Sequence, residues 1–173
     1  GIMLSKNKLQ KEITDNYNRI QQEGGSRSES AQGLAEAIVK YAEDAELPAA
    51  PTAKVKTARV GQGALQTVIN GSFLSGDPTM TPLTAGIVAY VASSFTLFSN
   101  IAGTTTGAGA CVMVVPPILA PVTALGMGGA SQADVCELMA TIIHTSFKSI
   151  VFTGATIVAP ATVTVPVTGV PLL

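Results

Sequence analysis

His144 is the one histidine in the chain, and a Ser-His nucleophile pair would need it beside a serine, with a carboxylate such as Asp134 or Glu137 orienting the ring. No nucleophile-elbow motif surrounds any serine, so His144 reads as a helix-surface or hydrogen-bonded core histidine. Cys111 and Cys136 stand 25 residues apart with no C-x-x-C and no second histidine. A zinc site needs about four ligands at short spacings; these two read as buried thiols of a chain matured in a reducing compartment. Glu43, Asp44 and Glu46 offer oxygen ligands for a cation. They lack a glycine-punctuated loop of alternating acids and read as a solvated helix end. Gly126-Met127-Gly128-Gly129 precedes a helix, where free backbone N–H groups attract phosphate. Position 131 is serine, no acid follows about twenty residues on, and the dinucleotide pattern is not met. GTTTGAG at 103–109 lacks the Lys-Ser/Thr ending of a phosphate loop; both segments read as turns. The residues therefore point to no catalytic site, no metal and no cofactor, and the chain is expected not to be an enzyme.

Positioning elements follow from apolar spacing. Leu4, Leu9, Ile13, Tyr17 and Ile20 make the stripe of an amphipathic helix over 4–23. Residues 1–24 are expected to be a helical arm whose Leu9, Ile13, Tyr17 and Ile20 bind a partner, with 25–29 a Gly/Ser joint and 30–173 the body. A second helix is expected from a cap at Ser28 or Ser30 to about Glu46. A third starts at Thr81-Pro82 and runs to about Phe98. A fourth starts at Ser131, with Asp134 three residues on, and ends on Gly154 as its cap. Leu83, Ile87, Val91, Phe95, Ile142 and Phe147 are the expected core or interface positions of the last two helices. Residues between Lys54 and Asp77 read as extended or looping chain. After each of the last three helices comes a Pro/Gly-rich, β-prone segment, and prolines do not sit mid-sheet. The expected fold is α+β, about four helices with short extended segments or a small antiparallel sheet between them, packed as ribbons without a barrel. LAEAIVKY from Leu34, LTAGIVAY from Leu83 and LMATIIHT from Leu138 echo one another at intervals of 49 and 55 residues, the pattern of helix-plus-extended repeats.

Charge is partitioned along the chain. Of 173 residues 12% are charged and 47% hydrophobic, with net charge -1. Residues 60–173 carry only Asp77, Asp134, Glu137 and Lys148, and no charge occurs from Pro78 to Ala133. A soluble surface normally carries both signs of charge, so lipid, further copies or other subunits must cover this half. Nucleic acid is excluded as a partner, because the basic residues Lys6, Lys8, Lys11 and Arg19 are interleaved with Glu12, Asp15 and Glu23 and form no patch. The best membrane span, residues 83–102, contains Ser93, Ser94, Thr96, Ser99 and Asn100 and has no flanking Lys, Arg or Trp. Pro116, Pro117 and Pro121 forbid a regular helix in 109–131. Burial against protein is the favoured reading and a membrane-inserting pore or holin-like protein the alternative; an enzyme whose site is completed only in an oligomer is a third. The N-terminus shows no signal peptide.

The helix ESAQGLAEAIVKYAEDAELPAAP, the charge-poor Ala/Gly/Thr/Val body and the ending VTVPVTGVPLL resemble small structural proteins of tailed-bacteriophage virions, the accessory subunits of capsid, neck, tail or baseplate. The resemblance implies a non-enzymatic virion structural and assembly protein. It would be present in many copies, packed against itself and other virion proteins, and assembled in the host bacterial cytoplasm. It also implies a maturation cut upstream that leaves a small first residue such as Gly1; a purification-tag cut leaves the same residue.

Overall fold

Ser5 opens the first helix, α1 (Lys6–Glu23), by accepting a hydrogen bond from the Lys8 N–H at 3.2 Å, and Gly24 closes it in the left-handed region at φ 68°, where only glycine sits without strain. The chain then reverses at once. Ser26 and Glu29 form a reciprocal capping box that starts α2 (Arg27–Ala42), earlier than the Ser28 or Ser30 cap expected. In the computed structural model, which describes residues 3–161 and 163–173, α1 folds back onto α2 and also packs on the last long helix. Leu4, Leu9 and Ile13 are buried in the chain's own core. The expected arm thus packs on the body through Leu4, Leu9 and Ile13 across the tight Gly24-Gly25 turn, while Tyr17 stays exposed.

The remaining elements are β1 (Glu46–Leu47), β2 (Ala53–Val55), α3 (Gln62–Ser75), α4 (Thr81–Ser94), β3 (Leu97–Ser99), β4 (Thr105–Met113), α5 (Ala120–Met127), α6 (Gln132–Phe147), β5 (Ile150–Val158) and β6 (Val165–Pro171). The order helix, helix, strand, strand occurs three times. The echoing segments at Leu34, Leu83 and Leu138 lie on α2, α4 and α6, the second helix of each set. The class is α+β as expected, with six helices among the described residues. Helices α3 and α5 replace chain expected to be extended. Helix α6 ends at Phe147, and Gly154 is not its cap but a mid-strand residue of β5.

All six strands join one antiparallel sheet in sequence order. Strands β4 and β5 pair over nine residues, from Thr105 opposite Val158 to Met113 opposite Ile150. The sheet curls until its outer members meet: the Glu46 N–H donates to the Leu173 carbonyl at 3.1 Å and the Leu173 N–H to the Glu46 carbonyl at 2.9 Å. Packed ribbons without a barrel, or a small antiparallel sheet, were expected from the prolines, yet these sit where a curled six-stranded sheet tolerates them. Pro116 and Pro117 follow β4, and Pro166 and Pro171 lie in β6, opposite Ala155 and Val151 in a β5 pairing that shifts register between Phe152 and Gly154.

Inside the curl, the Phe98 and Phe152 rings meet edge to face at 5.2 Å beside Cys111, Met113 and Ile150. Beneath the helices a second aromatic chain runs from Tyr41 to Phe147 at 5.1 Å, on to Phe95 at 6.1 Å and to Tyr90 at 6.2 Å. These rings come from α2, from α6, from the residue that follows α4 and from α4 itself, so one apolar cluster ties the three helix sets to the sheet.

Candidate interaction surface

The chemistry-bearing residues are held in structural roles. His144 Nδ1 stands 2.6 Å from the Tyr41 hydroxyl, which joins α6 to α2. Burial lowers the His144 pKa, assisted by the ammoniums of Lys148 and Lys6, and burial raises that of Tyr41. Glu137 and Asp134 lie seven and ten residues before His144 on the same helix, roughly 10 and 15 Å along its axis, so neither orients the ring. Cys111 on β4 and Cys136 on α6 are free and buried. Burial pushes the Cys111 thiol up to about 12, which leaves it protonated and inert. Among the described residues no three His, Cys, Asp or Glu side chains gather as metal ligands.

The acids after α2 differ from the solvated helix end expected. Asp44 is buried and receives Lys8 at 2.6 Å and Lys54 at 3.3 Å, Glu43 receives Arg59 at 2.7 Å, and Glu46 is also buried. The reason is topological: the chain passes from α2 directly into the closing strand β1, so Asp44 is held between Lys8 of α1 and Lys54 of β2, whereas Glu43 stays partly exposed beside Arg59. Of the 126–129 segment, expected to be a turn, Gly126 and Met127 end α5 and only Gly128-Gly129 turn toward α6, whereas 103–109 turns at Gly103 and then enters β4.

What the structure leaves uncovered is the outer face of the sheet. In β4 the residues Thr105, Gly107, Cys111 and Met113 point inward, and Thr106, Ala108, Ala110 and Val112 alternate outward. In β5 Ile150 and Phe152 point inward while Thr153 and Ile157 are exposed. Strands β4, β5 and β6 contain no Asp, Glu, His, Lys or Arg. Val112 is 59% exposed and Leu97 on β3 50%. A groove of about 500 Å³ crosses this face between Leu97, Ala108, Ala155, Ile157 and Thr164, with Lys56 on its rim. Beyond β4 the exposed series continues through Val114, Val115 and Ile118. Isolated apolar residues on a surface need no explanation, but a continuous uncharged one marks an interaction site.

The residues expected to bind partners are distributed differently. Leu9 and Ile13 are buried within the chain, Ile20 is half-buried, and Tyr17 is exposed. Leu83, Ile87, Val91, Phe95 and Phe147 are fully buried core, and Ile142 is half-buried against it. The outward residues of β4 and β5 escaped the sequence reading; the signal was the alternation of Thr106, Ala108, Ala110 and Val112 within a charge-free run. No helix among the described residues is long and apolar enough to cross a membrane. No family model, no curated protein and no solved structure matches this chain.

Proposed function

We propose that this chain is a non-enzymatic, multicopy structural subunit of a tailed-bacteriophage virion, assembled in the host bacterial cytoplasm and packed against itself and other virion proteins. The observation that carries this reading is the uncharged outer face of β4 and β5, continued by the exposed Val114, Val115 and Ile118. Water is a poor solvent for such a surface, and a second uncharged surface removes it from water without stranding a charge. The polar half of the chain, with Lys11, Asp15, Arg19 and Glu23 outward on α1, supplies the solvated side of each subunit.

The test is sedimentation velocity of the chain against its Val112→Asp/Ile157→Asp double variant, with far-UV circular dichroism as the control for folding. Both side chains are solvent-facing, so the variant keeps its secondary structure. The wild-type chain forms concentration-dependent assemblies, and two buried like charges per contact abolish them. A wild-type chain that stays monomeric at every concentration, and that is missing from purified particles, would sink the reading.

A further inference from the structure

Strand β6 is an exposed edge of the sheet. Among the described residues it pairs with β5 alone, apart from the contact of Leu173 with Glu46. An open edge offers its free N–H and C=O groups to a strand of another chain, and proteins commonly guard such edges with charge, lysine above all. Here no charged residue follows Lys148, and the segment is rich in valine, with Val163 71% and Val165 53% exposed. Without its prolines, so uncharged and β-prone an edge has the composition from which intermolecular sheets grow.

The ladder fixes which way each backbone group of β6 points. The Leu172 N–H donates to the Ile150 carbonyl of β5 at 3.2 Å, so the adjoining Pro171 turns its nitrogen to the open side. Farther along, the Gly109 N–H donates to the Thr96 carbonyl at 3.0 Å, away from β5. Its partner Gly154 therefore turns away from β4 and toward β6, where it stands opposite Val167. Val167 accordingly faces β5, and Pro166 and Thr168 face outward. The outward nitrogens of Pro166 and Pro171 carry no hydrogen. That of Thr168 lies in a bulge, where Thr168 and Gly169 together stand opposite Thr153 and Gly169 is left-handed at φ 61°; a bulge twists an edge out of line for pairing. The seam with β1 follows the same rule. Beyond Glu46 and Leu173 the next pair would bring Pro48 to Pro171, and neither has a donor to give.

We propose that Pro166 and Pro171, with the bulge between them, close the β6 edge to strand addition by a second copy of the chain. The edge keeps outward carbonyls but lacks the alternating donors that an antiparallel partner requires. The block matters wherever the chain is concentrated, whether in a particle or free.

The Pro166→Val/Pro171→Val variant restores both donors at exposed positions. Sedimentation velocity compares it with its parent, both carrying Val112→Asp/Ile157→Asp so that the outer face does not contribute to association. The restored edge is expected to associate as concentration rises while the parent does not, and amide exchange over 165–171 slows in the associated species. A restored edge that sediments as its parent does at every concentration overturns the proposal, and so does association without slower exchange at 165–171. Association of the parent itself counts against the outer face as the subunit contact; the edge is then read from exchange at 165–171, which slows in the restored variant alone. Two further variants test the facing of the strand within one molecule. Pro166→Ala changes the thermal midpoint little, whereas Val167→Pro removes a donor directed at Gly154 and lowers the midpoint or unfolds the chain. Equal midpoints for the two would place the prolines on the paired side and end the proposal.

Discussion

Gly109 and Gly154 face each other across β4 and β5, and the ring of Phe152 lies over both. A Cβ on Gly154 would run into the Ala108 carbonyl oxygen and come within 2.9 Å of that ring. Backbone cannot yield there without breaking the ladder, so Gly154→Val is expected to destabilise the chain by about 1–3 kcal/mol or more, read as a drop in thermal midpoint. At the same scale, the Tyr41–His144 contact makes stability depend on pH. The unfolded histidine titrates at its ordinary 6.5 and the folded one below it, since burial and the nearby Lys148 and Lys6 disfavour the imidazolium. The unfolded state therefore binds more protons between the two values. The contribution is fully present above 6.5 and is lost as pH falls through the folded value. A thermal midpoint that declines more steeply from pH 7.5 to 5.5 in the wild type than in His144→Asn, whose Oδ1 can take the place of Nδ1, is the expected result; parallel curves would contradict it.

Among the elements, α1 carries the clearest consequence. Its Leu9 and Ile13 are buried where α1 packs on α2 and α6, so deleting residues 1–24 exposes core. The truncated chain is expected to lose its cooperative unfolding transition in circular dichroism; a folded remainder would restore the independent arm. Helices α1, α2, α4 and α6 were legible because each repeats apolar residues at three- and four-residue spacings. Helix α3 was not, since Gln62–Ser75 holds two glycines and buries little beyond Leu65 and Ile69. Helix α5 hid among prolines, although Pro121 in its first turn is compatible with a helix. The sequence cannot give the β4–β5 register, which rests on Gly109 meeting Gly154 from 45 residues away. Nor could it show Asp44 and Glu46 as buried, because their burial comes from the sheet closing over them.

At the scale of the molecule, three helix-helix-strand-strand sets are joined into one ring by two hydrogen bonds between Glu46 and Leu173. Leu173→Pro deletes one of these donors and is expected to cost about 1 kcal/mol, measured by chemical denaturation. The two ends of that contact are among the most distant in the chain, and contacts of large sequence separation form late because loop entropy opposes them. Before the ring shuts, β1 and the end of β6 are unpaired edges of matching register. A neighbouring copy at the same stage offers the same edges. Closure within one chain and exchange between two would then compete by rate, and subunit concentration during folding would set the balance.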